Sequence, residues 1–174
     1  MSRPGAVIFK GNPLTLVGEA VKAGQAAPSF TLHRFADGAM KTVTLSDIKG
    51  KPTIISVVPS LDTPVCQIQT KKFNEQLAAY GDKINALTVS ADLPFAMNRF
   101  CGAEKITHLI SASDYQTRSF GENWGMLIDE LKILARGTFV VDAGGKVVYA
   151  ETVKEVGQEP NYDAALAALK SLVQ

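Results

Sequence analysis

Thr53-Ile54-Ile55-Ser56-Val57-Val58-Pro59-Ser60-Leu61-Asp62-Thr63-Pro64-Val65-Cys66 is the stretch that sets the reading of this chain. Its first six residues are a β-branched run suited to a central strand, and Pro59 ends it. Downstream, Val65, Ile68, Phe73, Leu77 and Tyr80 recur at roughly helical spacing, with Gln67, Lys71, Lys72 and Glu75 left for solvent. Asp62 or Thr63 can cap that helix, and Pro64 suits its first turn. Cys66 then falls where unpaired backbone N–H groups and the positive end of the helix dipole favour thiolate over thiol.

Outward from this core, Ile84–Ser90 reads as the next strand, so strand, helix and strand form a crossover for which parallel, right-handed pairing is strongly preferred. A short helix is expected over Pro94–Cys101, with Asp92 near its start and Gly102 ending it. His108–Ser111 reads as a strand and Phe120–Trp124 as a short helix ending at Gly125. Leu134–Val141 and Lys146–Thr152 flank Asp142-Ala143-Gly144-Gly145, a hairpin signal, and Tyr162–Val173 is an amphipathic helix after Pro160. Upstream, Val7–Leu16 reads as a hairpin joined at Gly11-Asn12, an addition to the domain. Phe30–Leu32 and Val43–Leu45 are strand-like pieces around the Asp37-Gly38 turn, and Ser46–Ile48 starts one helical turn. This order gives an α/β domain spanning 1–174, with a mixed sheet covered on both faces.

At 174 residues and 46% apolar composition, the chain suffices for one domain with a substantial core. Its charges nearly balance at +1 and are spread out, which argues against a nucleic-acid surface or an anionic membrane. Met1–Gly5 lack the apolar run of a signal peptide and no stretch reaches membrane-spanning length, so a cytoplasmic address is expected. In such a compartment the two cysteines are more often catalytic, metal-binding or inert than a structural staple. With His33 and His108 isolated, zinc ligation has almost no support.

The topology brings distant residues together. Cys66 lies at the carboxyl edge of the central strand, where open α/β sheets place their sites. If Leu134–Val141 runs antiparallel to that strand, Arg136 arrives near Cys66, and its permanent charge stabilises a thiolate and offers donors to an oxygen-rich ligand. Thr63 can turn its hydroxyl toward the sulfur or its target, and Pro59 shields the pocket without adding an N–H. Such a thiolate suits attack on an electrophile such as a peroxide O–O bond.

Pro59-x-x-x-Thr63-x-x-Cys66 resembles the peroxiredoxin active-site motif, and the wider Pro59–Cys66 string with Phe73-Asn74 resembles the bacterial thiol peroxidase branch, an atypical two-cysteine family. Ser90–Ala96 running into Arg99–Glu104 is similar to its resolving-cysteine segment. Leu134-Ala135-Arg136 is similar to its arginine strand, and Glu159–Ala165 to its closing helix. The resemblance implies a thioredoxin-like fold with an N-terminal β-hairpin. Cys66 would attack a hydroperoxide and become a sulfenic acid, Cys101 would condense with it to an intrasubunit disulfide, and thioredoxin would reduce that bond. Metal, haem and flavin are not required, since sulfur carries the oxygen and electrons. A homodimer and a leaning toward organic hydroperoxides are further implications. Two positions depart from the pattern: Gly137 follows the arginine where alanine is common, and Gly125–Leu134 lacks the glycine-containing loop of some members.

The implied disulfide carries a geometric demand. A helix running back down the sheet after Ser90 leaves its last turn roughly 10 Å below the edge that carries Cys66, at about 1.5 Å per residue. Bridging needs Cα atoms within about 7 Å, so local unfolding of the Pro94–Cys101 helix, the first turn at Cys66, or both is expected. Two other readings use the same residues differently: a peroxide sensor or thiol–disulfide exchange protein working through the cysteine pair, and a non-catalytic module with inert cysteines. The absence of Cys-x-x-Cys weakens the exchange reading.

Overall fold

Two hairpins open the chain, and their turns fix their registers. In the computed structural model, which describes residues 1–173, β1 (Ser2–Phe9) and β2 (Asn12–Val17) are joined by Lys10-Gly11, and β3 (Thr31–Ala36) and β4 (Ala39–Thr44) by Asp37-Gly38. All four turn residues have positive φ (50°, 82°, 54° and 75°), the backbone a two-residue hairpin turn demands. The first turn therefore sits one residue earlier than Gly11-Asn12, and Asn12 is already paired with Phe9.

After the single turn α1 (Leu45–Ile48), the β-branched run becomes β5 (Thr53–Val57), buried at every position. It leads into α2 (Pro64–Leu77), a 3₁₀ segment (Ala78–Lys83) and β6 (Asn85–Ser90), which pairs parallel with β5 from Thr53↔Asn85 to Val57↔Val89. The buried face of α2 carries Cys66, Gln69, Thr70, Phe73 and Leu77, whereas Ile68 is exposed. This face is turned relative to the apolar spacing, because Cys66 and two polar residues point inward for reasons that hydrophobicity does not encode.

Next, α3 (Pro94–Ala103) continues past Gly102. Lys105, at φ 55°, takes the left-handed position, so that Ile106 N–H reaches the Cys101 carbonyl at 2.9 Å and Lys105 N–H the Gly102 carbonyl at 3.4 Å. This is the paired bonding of a Schellman stop. Leu93, not Asp92, is the residue before the first turn. Then β7 (Ile110–Ser113), two residues later than expected, pairs parallel with β6, and α4 (Ser119–Asn123) follows.

The expected strand Leu134–Val141 is two strands in two sheets. β8 (Leu127–Ile128) and β9 (Ile133–Leu134) join the first hairpin in a four-stranded sheet ordered β1-β2-β8-β9. Gly137 then starts β10 (Gly137–Val141), which with β11 (Val147–Thr152) enters a seven-stranded sheet ordered β11-β10-β5-β6-β7-β3-β4. β10 runs antiparallel to β5, with Gly137 opposite Val57. Ala135 and Arg136 occupy the crossing between sheets.

Alternation along the strands divides the core. Ile54, Ala86 and Val140 face Phe73 and Leu77 of α2 and Ala165 and Leu169 of α5 (Tyr162–Leu172). Ile55, Val57, Leu87, Val89, Phe139 and Val141 face the other way, into a cluster with Phe120, Trp124 and the small sheet. There Phe120 and Trp124 stack at 4.9 Å, and Trp124 meets Phe139 edge-on at 5.1 Å, contacts that hold a helix too short to persist alone. Val7 and Leu16 are fully buried in the same cluster, so the first hairpin is structural core rather than decoration. Among the described residues, no helix is long and apolar enough to cross a membrane.

Candidate functional site

Cys66 is the third residue of α2, fully buried under Val58, Leu61 and Met97. Thr63 is the N-cap by backbone, at φ −121° and ψ 150°, with Pro64 in the first turn, so the sulfur sits among the free N–H groups of a helix start. The Thr63 hydroxyl makes no cap bond and is not turned to the sulfur: it donates to the Ser60 carbonyl at 2.9 Å.

Arg136 comes to the sulfur from the crossing between sheets. Its Nη2 donates to Cys66 Sγ at 3.4 Å, its Nη1 to Gln69 Oε1 at 3.0 Å and its Nε to the Val156 carbonyl at 2.8 Å. The guanidinium is 3% exposed and has no carboxylate within ion-pair distance among the described residues. A buried cation is costly unless compensated; its charge acts on the Glu159 carboxylate without forming an ion pair, and Cys66 Sγ is the acceptor it bonds at the site.

Gln69 went unmarked in the sequence. It lies one helical turn after Cys66, fully buried, and while it accepts from Arg136 its Nε2 donates to Ser56 Oγ at 2.8 Å. The one available signal was its place three residues after Cys66, on the same helix face. Asp92 was also missed as a site residue. It accepts from Ser60 Oγ at 2.7 Å and from Leu61 N–H at 2.8 Å, instead of capping α3.

Beside the thiol opens a cleft of about 500 Å³, with Phe9, Pro59, Thr63, Leu131 and Ile133 among its walls. Arg136 and Lys10 are its cationic members. Pro59, Thr63 and Arg136 thus line one cleft, and Arg136 connects it to Cys66, which lies buried behind its wall.

Cys101 is not brought to that group. Both thiols are free, and Cys101 packs with the core cluster between α2, α5 and the sheet, whereas Cys66 belongs to the separate Val58–Leu61–Met97 cluster. Burial pushes the Cys101 thiol pKa up, partly offset by a hydrogen bond with Ser111 and the charge of Arg34. The described residues contain no group of three or more His, Cys, Asp or Glu side chains arranged to hold a metal ion.

A mixed sheet with a buried cysteine at the carboxyl edge of its central strand, bonded by a buried arginine, defines a redox-active thiol protein of thioredoxin-like fold. Residues 22–166 match the Redoxin family model. The chain is 51% identical over 168 residues, 97% of its length and 98% of the relative's, to the thiol peroxidase of Bacillus subtilis strain 168. A peroxiredoxin-like protein from Aquifex aeolicus superposes with a TM-score of 0.87 at 42% identity, covering 97% of this chain and 98% of that one. The thiol peroxidase from Chromobacterium violaceum, at 19% identity and 95% coverage of each chain, shares the fold with a TM-score of 0.81. The chain belongs to the redoxin family, within its thiol peroxidase branch.

Proposed function

We propose that the chain, acting as one domain, is a thioredoxin-dependent thiol peroxidase with Cys66 as the attacking sulfur and Cys101 as the resolving thiol. The Cys66 thiolate displaces an alcohol from a hydroperoxide: its sulfur takes the distal oxygen, the O–O bond breaks, and with one proton the products are a sulfenic acid and ROH. The Cys101 thiol then attacks that sulfenic sulfur, releasing water and forming the disulfide. A dithiol reductant of the thioredoxin type returns both thiols to the start while becoming oxidised itself.

The observation that carries this reading is the Arg136–Cys66 contact. A buried guanidinium that bonds the sulfur, and whose other acceptors are a neutral amide oxygen and a backbone carbonyl, favours negative charge on that sulfur, and the same fork can stabilise charge on the departing oxygen. Thr63 and Pro59, at the cleft beside the sulfur, are the groups that position the peroxide. The largely apolar cleft walls suit an organic hydroperoxide better than a strongly hydrated substrate. A cytoplasmic site of action and a homodimer, which the sequence resemblance implies, are part of the same proposal.

Forming the disulfide requires motion, since the two thiols belong to separate packed clusters and a bridge needs Cα atoms within about 7 Å. Opening of α3, of the first turn of α2, or of both supplies it. The test is peroxide turnover with a thioredoxin system in wild type, Cys66→Ser and Cys101→Ser. Turnover is expected to vanish in both variants, with single-turnover oxidation retained only in Cys101→Ser. Wild-type peroxide consumption by Cys66→Ser would overturn the proposal, and single turnovers without thioredoxin-driven cycling in the wild type would point to a peroxide sensor.

A further inference from the structure

We infer that Asp92 is a positioning residue: a clasp that holds the Cys66 loop against the start of the Cys101 helix and sets how readily the site opens to form the disulfide. This rests on the assignment of Cys66 and Cys101 as attacking and resolving thiols. Asp92 lies between the end of β6 and the first turn of α3, yet its carboxylate is turned across to the loop that precedes Cys66. One oxygen accepts from Ser60 Oγ at 2.7 Å. The other accepts from Leu61 N–H at 2.8 Å and Ser90 Oγ at 2.6 Å. Its own N–H donates to Ser90 Oγ at 3.1 Å, and its carbonyl accepts from Ser113 Oγ at the end of β7. Hydrogen bonds to an ionised acceptor are about twice as strong as neutral ones, and this carboxylate takes two from the Ser60–Leu61 segment.

The tie bears on the thiol directly. Leu61, from the clasped loop, and Met97, from α3, both pack on Cys66. The Ser60 carbonyl, one residue before Leu61, holds the Thr63 hydroxyl. Holding Ser60 and Leu61 to Asp92 therefore keeps the sulfur covered and Thr63 in place. To reach the Cys66 sulfenic sulfur, Cys101 must leave the cluster in which it packs, and the start of α3, two residues after Asp92, cannot draw away from the 60–61 loop without straining or breaking the carboxylate bonds. The clasp accordingly favours the peroxide-reactive arrangement and slows closure. While it holds, a second hydroperoxide can convert the sulfenic acid to a sulfinic acid, with ROH as co-product, in competition with disulfide formation.

Asp92→Asn keeps the shape but removes the charge and leaves at most one acceptor oxygen. Closure would be followed by rapid quench with thiol alkylation and mass spectrometry, and over-oxidation by titration with hydroperoxide. Asp92→Asn is expected to form the Cys66–Cys101 disulfide roughly tenfold faster, the order expected for losing hydrogen bonds to a charged group, and to raise the hydroperoxide needed for half over-oxidation by a similar factor. Ser60→Ala, which deletes only one bond, should move both readouts the same way by less. Val141→Ala, a buried change in the other core cluster at the end of β10 opposite Thr53, controls for lost thermal stability and should leave closure and its competition with over-oxidation unchanged. Closure in Asp92→Asn at or below the wild-type rate, or an equal gain in Val141→Ala, overturns the clasp. Absence of any Cys66–Cys101 disulfide in the wild type would instead overturn the resolving role on which it rests.

Discussion

At the scale of single residues, Arg136 is held by shape as much as by charge. Its three nitrogens reach the Val156 carbonyl, Gln69 Oε1 and Cys66 Sγ at once, which a lysine ammonium on a flexible stem cannot reproduce. Arg136→Lys is expected to lower the second-order rate of Cys66 oxidation about 10²-fold, the cost typical of losing an aligned donor at a reacting centre. Stopped-flow measurement decides it, and a near-wild-type rate would mean that positive charge alone is enough. Gln69 supports the same fork from behind. Gln69→Leu leaves Arg136 Nη1 and Ser56 Oγ without their partner, and is expected to cost about 1–3 kcal/mol of stability in the reduced protein by urea unfolding. Unchanged stability would show that the amide is not needed to hold the arginine. Cys66, Thr63, Pro59 and Arg136 were legible because each has a chemistry that its place at a sheet edge or helix start makes useful. Gln69 and Asp92 were not, because their role lies in partners 13 and about 30 residues away, Ser56 for one and Ser60 and Leu61 for the other.

Among the elements, the crossing from β9 to β10 matters most to the site. The strand-like stretch Leu134–Val141 gives no sign that its first part pairs with β8 and its second with β5, since a two-residue strand is too short to be told from the start of the next one. What marks the crossing is Gly137. A Cβ there would lie 2.3 Å from the Glu151 carbonyl oxygen on β11 and 2.8 Å from Met126 Cε, so β11 approaches as closely as glycine allows. An alanine at this position would require β11 to stand further off. Gly137→Ala is accordingly expected to destabilise the protein by about 1–3 kcal/mol and to slow Cys66 oxidation by displacing the adjoining Arg136, which parallel unfolding and stopped-flow measurements can check. Retention of both stability and rate would show that β11 relaxes freely. The central crossover and the closing helix were readable from periodicity. The two-residue strands β8 and β9 were not, because they are too short to show a period and are fixed by pairing, β8 with β2 and β9 with β8.

Across the whole molecule, the two sheets share one core, and Asp114 sits where they are joined. It follows β7, is 1% exposed, and accepts from the N–H groups of Phe120 and Gly121 at 2.9 and 2.8 Å, tying the large sheet to the helix whose aromatic pair fills the space beneath the small one. Burial raises its pKa to about 6 from 3.8, outweighing those two donors. The sign follows from proton counting. Between these values the folded state holds a proton that the unfolded state has released, so stability falls as pH rises. The favourable contribution is complete below the unfolded value and is lost as pH rises through about 6. A shift of this size corresponds to roughly 3 kcal/mol. Asp114→Asn removes the titration but keeps the shape, with one acceptor oxygen for the two N–H groups. Urea unfolding of both proteins across this range should show the wild type losing up to about 3 kcal/mol relative to Asp114→Asn as the pH is raised from below 4 to above 6. A difference between the two that stays constant across that range would mean that Asp114 is ionised throughout, with the Phe120 and Gly121 donors outweighing burial.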